Sequence, residues 1–203
     1  MNETKMSSVE YYDKNTQAFY DRTIDHEMSD NYNKFLSLLP KKAHILDAGC
    51  GPGRDAKYFK SLGFNVIAFD ASIEMVKMST RMIGECTMHL QFQDLIFENQ
   101  FDGVWASASL LHVPFEELRD VLEKIWRSLK SNGIFYASFK YGNGKRQVDE
   151  RAYYDVDEIS ILPYLTGLFD VIQIWRTEDS MSGGGASPAN ACLRLLSKVP
   201  GKP

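Results

Sequence analysis

Leu46-Asp47-Ala48-Gly49-Cys50-Gly51-Pro52-Gly53-Arg54-Asp55 is the stretch whose reading decides the fold. A short run, His44 to Asp47, reads as a strand entering a glycine-rich turn, and Arg54 to Leu62 reads as a helix closed by Gly63. Glycines between a strand and a helix let backbone approach a ligand closely, and the first helical amides face that ligand. Asn65 to Asp70 forms a second strand. It ends in a carboxylate about 20 residues beyond the turn, where an acid can take both hydroxyls of an adenosine ribose.

Outward from this unit, strands and helices alternate. Upstream, Val9 to Leu39 reads as helical, with Tyr32, Phe35, Leu36 and Leu39 on one apolar face, and Pro40 ends it. Downstream come a helix over Ile73 to Ile83 stopped by Gly84, a third strand over His89 to Gln93, and a fourth over Phe101 to Ala106. Glu116 to Lys130 is the clearest helix, with Leu118, Val121, Leu122, Ile125 and Leu129 in one stripe, and Ile134 to Phe139 is a fifth strand. Such alternation implies right-handed βαβ units and a parallel sheet covered on both faces. After Phe139 the spacing predicts a helix over Val156 to Leu168, interrupted by Pro163, then strands over Phe169 to Arg176 and Ala191 to Lys198. The Gly/Ser/Pro-rich stretch Ser180 to Asn190 joins those two strands, so the sheet ends in an antiparallel hairpin. One domain is expected over 1–203, as an N-terminal helical cap (1–40) on a core (41–203).

At 203 residues with 44% hydrophobic and 25% charged side chains, the chain has the usage of an ordinary globular domain. Its net charge of −4 lacks the broad positive field that non-specific nucleic-acid binding requires. Cys50, Cys86 and Cys192 are scattered without a C-x-x-C pair, so no metal or redox site is signalled. Met1 to Tyr12 is polar, and no apolar run reaches membrane-spanning length, so a cytoplasmic protein without a membrane partner is expected.

The turn itself narrows the ligand. A dinucleotide fingerprint G-x-G-x-x-G needs its third glycine where Arg54 stands, and Asp47 would repel a pyrophosphate while suiting a ligand with an α-amino group. The observed G-x-G-x-G preceded by Asp47 resembles the first motif of class I S-adenosylmethionine (SAM)-dependent methyltransferases, of the small-molecule type. That resemblance implies SAM as cofactor and a Rossmann-like sheet of seven strands, six parallel and one antiparallel, with helices on both faces. It implies cofactor contacts from Asp47, Gly49, Cys50, Gly51 and Arg54 of the turn. Phe69-Asp70-Ala71-Ser72-Ile73-Glu74-Met75 is similar to the second motif, where Asp70 would hold the ribose and Ala71, Ser72 and Met75 flank adenine. Gln93-Asp94-Leu95 resembles the third, with Asp94 toward the adenine amino group beside Leu95. The segment Trp105 to Pro114, with Ser107, resembles the lining of the methionine arm and acceptor site. Tyr11-Tyr12-Asp13-Lys14 with Ala18-Phe19-Tyr20 resembles the family's cap helix, adding Tyr20 to the cofactor side and Tyr11 and Tyr12 to the acceptor side. The Gly53-Arg54-Asp55 turn and Ser138 to Gly142 resemble a narrower bacterial group related to tellurite-resistance methyltransferases. An Asn/Asp-Pro-Pro-aromatic signature after the fourth strand, typical of enzymes acting on amino groups of bases or glutamine, is absent.

For the acceptor, His112 follows the fourth strand and is a candidate general base, since a free imidazole accepts a proton near neutral pH. Lys140, Arg146 and Arg151 follow the fifth strand, on the side where open α/β sheets bind ligands. With Arg54 and His112 they suit a small anionic acceptor, although a solvated face is the plainer account of such charges. Cys50 between two glycines reads as a small buried side chain and Trp105 as packing. Two other functions remain open at this level: a SAM-binding protein without catalysis, and a nicotinamide-dependent oxidoreductase. The acceptor and the oligomeric state are not legible.

Overall fold

A computed structural model describes residues 7–178 and 191–202. The Ser180 to Asn190 connection lies outside them. The first helices are α1 (Ser8–Lys14), α2 (Thr16–Thr23) and α3 (Ser29–Leu36). Then follow β1 (His44–Ala48), α4 (Arg54–Ser61), β2 (Asn65–Asp70), α5 (Ile73–Ile83), β3 (Met88–His89), β4 (Phe101–Ala106), α6 (Phe115–Ser128) and β5 (Leu129–Lys140). The remaining elements are β6 (Gly144–Val148), β7 (Arg151–Asp155), α7 (Leu162–Leu165), β8 (Asp170–Glu178) and β9 (Ala191–Lys198).

Seven strands form the main sheet in the order β3-β2-β1-β4-β5-β9-β8. The first five pair in parallel, while β9 runs antiparallel to both β5 and β8. Six strands therefore share one direction and one opposes them, the Rossmann-like arrangement expected. Side chains alternate across this sheet. Leu46, Val104, Phe135 and Ala137 join a core with Leu118, Val121, Leu122 and Ile125 of α6. Ile45, Trp105, Ile134 and Tyr136 join a second core with Phe35 of α3 and Phe59 of α4. Among the described residues no helix is long and apolar enough to cross a membrane.

Five sequence expectations need correction. The helical stretch Val9 to Leu39 is three short helices: Asn15 breaks the first from the second by turning its side-chain amide back to the Tyr11 carbonyl, 2.8 Å away. The third strand is only two residues long, because Phe92–Asp94 winds into a 3-10 turn. Leu129 is buried as expected but opens β5 instead of ending α6. Between β5 and α7 a separate antiparallel hairpin, β6–β7, stands where no strand was expected. It turns on Asp149 and Glu150, both at positive φ without a glycine. The helix expected over Val156 to Leu168 shrinks to α7, preceded by a turn in which Asp157 Oδ1 accepts from the Ile159 and Ser160 amides.

Candidate active site

The carboxyl ends of β1, β2, β4 and β5 open into a cleft of about 770 Å³, walled further by α1, α2 and the β6–β7 hairpin. At its floor the glycine turn divides its labour. A Cβ on Gly49 would come within 2.4 Å of Ser109 Cβ, and one on Gly53 within 2.6 Å of Ser79 Oγ, so these two glycines serve packing. Gly51 meets nothing nearer than 3.6 Å, the Phe19 ring, and is the glycine of the turn with room for a ligand against its backbone in the cleft. Its φ of +53° also disfavours any side chain.

Two acids frame the turn differently. Asp70 braces it: Oδ2 accepts from Gly51 N at 2.8 Å and Oδ1 from Ser72 N at 2.9 Å. Burial raises the Asp70 carboxyl, against the lowering effect of those amides. Lone pairs remain on both oxygens for a ligand. Asp47 is 2% exposed, and its Oδ2 has no hydrogen-bond partner. Burial first, then the neighbouring Asp55 carboxylate, push the Asp47 carboxyl well above the usual range. A buried carboxylate short of a donor, lining the cleft beside Gly51, fits a ligand that brings an ammonium group.

Asp55, by contrast, is fully engaged. Its oxygens accept from Tyr32 Oη at 2.6 Å, Trp105 Nε1 at 2.7 Å and Arg54 Nε at 2.6 Å. Trp105 is thus completely buried packing with its indole N–H satisfied. Arg54 spends its Nη1 on the Thr23 carbonyl, 3.0 Å away. Burial works against its charge, but Asp55 outweighs that and keeps the guanidinium protonated. Arg54 lines the cleft with its Nε and Nη1 already committed, which weakens the expectation that it grips an acceptor.

On the opposite wall His112 sits in a 3-10 turn after β4. Its Nδ1 lies 2.7 Å from the Ala152 carbonyl and its Nε2 2.9 Å from Tyr12 Oη. Burial pushes its pKa down to about 4, Arg151 adding to the shift, so the ring is neutral at physiological pH. Arg151, on β7, is 7% exposed and lies 4.3 Å from the Tyr11 ring centre; its Nη2 donates to Asp149 Oδ2 at 3.4 Å, while its Nε is unpartnered. Arg146 pairs with Asp155 and stacks on Tyr153. Lys140 lines the cleft beside Cys192.

Helix α1 joins the two walls. Ser8 Oγ accepts from Ala152 N at 3.2 Å, while Asp13 Oδ1 accepts from Ser72 Oγ at 2.6 Å and Glu74 N at 3.2 Å. Ser7 begins the helix with a capping box to Glu10.

Of the residues expected to contact cofactor, Asp47, Gly49, Cys50, Gly51, Arg54, Asp70, Ala71, Ser72, Met75 and Ser107 line the cleft. Tyr20, Asp94 and Leu95 do not. Tyr20 faces a small groove with Arg81 and Met82 of α5, because Phe19, one position earlier on α2, takes the inward side. The 3-10 turn after β3 presents Gln91, Phe92 and Gln93 to the cleft in place of Asp94. Leu95 is core. On the acceptor side Tyr12, His112, Lys140 and Arg151 line the cleft and Tyr11 stands behind Arg151. Missed altogether were Phe19 and Arg194, the latter a buried β9 guanidinium 2.6 Å from Tyr136 Oη. The Cys50 thiol is raised by burial and lies 3.5 Å from Ser79 Oγ, in keeping with a small packed side chain.

Comparison with known proteins shows what this geometry is similar to. Residues 46–137 match the methyltransferase domain family. The chain is 30% identical over 136 residues to YqeM of Bacillus subtilis (strain 168), a protein named as a methyltransferase, covering 61% of this chain and 55% of that protein. It is 30% identical over 105 residues to the malonyl-[acyl-carrier protein] O-methyltransferase of Enterobacter lignolyticus (strain SCF1), covering 49% and 40%. The chain thus spans about half the length of these curated relatives. Burkholderia thailandensis 1,6-didemethyltoxoflavin-N1-methyltransferase, solved with 1,6-didemethyltoxoflavin and S-adenosylhomocysteine, superimposes with a TM-score of 0.73 at 22% identity, over 95% of this chain and 85% of that one. The fold is that of the SAM-dependent methyltransferases.

Proposed function

We propose that this protein is a SAM-dependent methyltransferase acting on a small anionic acceptor, as a single cytosolic domain. One observation carries the reading. Among the described residues four buried polar side-chain atoms lack a partner, and two of them line the cleft with opposite charge: Asp47 Oδ2 from β1 and Arg151 Nε from β7. Arg151 reaches Asp149 through Nη2 at 3.4 Å, a long pair to a largely exposed carboxylate, which leaves Nε short of a partner. A buried polar atom left without a partner is costly unless a ligand completes it. A cofactor with an ammonium group answers Asp47, and an acceptor with an anionic group answers Arg151.

In this reading Asp47 holds the cofactor's ammonium, Asp70 its ribose hydroxyls and Gly51 its closest backbone approach, while Ala71, Ser72 and Met75 border adenine. SAM supplies an electrophilic sulfonium methyl when bound. The chain's own part is to align the acceptor lone pair and exclude water, which the α1–α2 wall above the cleft suits. The small heterocycle bound by the Burkholderia enzyme supports an acceptor of this size. The resemblance of the Gly53-Arg54-Asp55 turn and of Ser138 to Gly142 to the tellurite-resistance group adds inorganic oxyanions to the acceptors worth testing.

Calorimetry tests the cofactor half. SAM and S-adenosylhomocysteine should bind and NAD should not, and Asp70→Ala should weaken binding by about 2–3 kcal/mol, the scale of hydrogen bonds to a charged group. Binding of NAD alone would sink the reading. Tight SAM binding without turnover across carboxylates, oxyanions, thiols and amines would leave a SAM-binding protein without catalysis.

A further inference from the structure

Tyr12 on α1 and His112 in the turn after β4 meet at 2.9 Å. The Ala152 carbonyl, 2.7 Å from Nδ1, can only accept, so Nδ1 carries the ring proton and Nε2 presents a lone pair. Tyr12 Oη therefore donates to Nε2. Both imidazole nitrogens are occupied, and His112 cannot touch an acceptor without displacing Tyr12. Tyr12 lines the cleft, and its hydroxyl, which Arg151 also faces as a donor, keeps a lone pair for an acceptor proton.

We propose that Tyr12 is the catalytic residue that takes the acceptor's proton, handing its own to His112 behind it, so that the nucleophile is a hydroxyl or N–H group. The proposal rests on the methyl-transfer reading above. As the bond from acceptor oxygen or nitrogen to the methyl carbon forms, the sulfonium C–S bond breaks and its electron pair returns to sulfur. The acceptor proton moves to Tyr12 Oη, and the Tyr12 proton moves to His112 Nε2. The imidazolium, held by the Ala152 carbonyl, later releases that proton to solvent. One positive charge leaves the sulfonium and one proton appears, so charge balances. His112 is here a positioning and proton-accepting residue.

The groups around the pair support this order. Arg151 faces both side chains, Tyr11 and Asp70 face Tyr12, and the Tyr153 ring lies 4.9 Å from His112. Arg151 holds His112 toward its neutral form. An acceptor anion paired with Arg151 cancels that influence, so the imidazole becomes a stronger base as the acceptor seats.

The test uses two acids that share the anion and differ in the nucleophile. 4-Hydroxybenzoate keeps its phenolic proton at pH 8, whereas 4-mercaptobenzoate is already a thiolate. Tyr12→Phe and His112→Asn should each lower kcat on the phenol about 100-fold and on the thiolate less than about threefold. KM and S-adenosylhomocysteine affinity should hold. Equal losses on both acids would overturn the relay, as a merely structural role predicts. Independently, long-range ¹H–¹⁵N spectra of the full protein with S-adenosylhomocysteine should show His112 protonated at Nδ1 and bare at Nε2, with the Nε2 resonance moving in Tyr12→Phe. A proton on Nε2 overturns the proposal whatever the acceptor. Should neither acid be a substrate, that spectrum decides alone. Failure of the wild type to bind S-adenosylhomocysteine is a different result: it removes the methyltransferase reading and takes the relay with it.

Discussion

Asp47 shows how a single residue can trade stability for binding. Its carboxyl is raised in the folded chain, first by burial and then by Asp55. The folded state therefore binds more protons than the unfolded one. Its contribution to stability is fully present below the unfolded carboxylate value of about 4 and is lost as pH rises through the folded value. A ligand ammonium reverses that preference by favouring the ionised form, so binding should release a proton and tighten as pH rises toward 8. Calorimetry in two buffers of different ionisation enthalpy measures that release. Asp47→Asn should raise the melting temperature of the ligand-free protein at pH 8 while weakening S-adenosylhomocysteine binding and removing its pH dependence. Affinity that is flat with pH in the wild type, with no proton released, would separate Asp47 from the ligand.

Among the described helices, α1 is the least buried. None of its seven residues is buried, and polar contacts through Ser8, Tyr12 and Asp13 hold it. Local opening of such a helix costs little. Amide exchange over residues 8–14 should be fast in the free protein and slow when S-adenosylhomocysteine is added, and Asp13→Ala should blunt the slowing. Exchange already as slow as in Gly49 to Asp55 would make α1 a fixed wall. The elements legible in the sequence were those whose periodicity and glycine stops agree, such as β1, β2, α5 and the β8–β9 hairpin. The β6–β7 hairpin escaped because Gly144 to Val148 is largely exposed and polar, and its turn uses Asp149 and Glu150 where Asn-Gly would have announced it. The N-terminal helices ran together because the break at Asn15 depends on a side-chain contact, which leaves no trace in hydrophobic spacing.

Across the whole molecule, the expected division into cap and core falls inside the first 40 residues. Helices α1 and α2 border the cleft, but Phe35 of α3 is completely buried against Ile45, Phe59, Trp105 and Tyr136. Phe35→Ala should therefore destabilise the protein by about 3–5 kcal/mol in urea unfolding. A loss below about 1 kcal/mol would return α3 to the cap. The candidate site was legible where a residue sits at a strand end, as with Asp47 and Asp70, or on the segment that follows one, as with His112, because strand ends project to one edge of the sheet. It was obscure where a helix face decides, as with Phe19 and Tyr20, which differ by one position and line different cavities. Arg151, Ala152 and Tyr153 all stand on β7, which shares no strand ladder with the seven-stranded sheet. The hairpin can be redrawn without altering the register of the strands that shape the glycine turn. Under the methyl-transfer reading proposed above, descendants of this chain could change their acceptor by exchanging the 12 residues of Gly144 to Asp155, leaving the glycine turn in place.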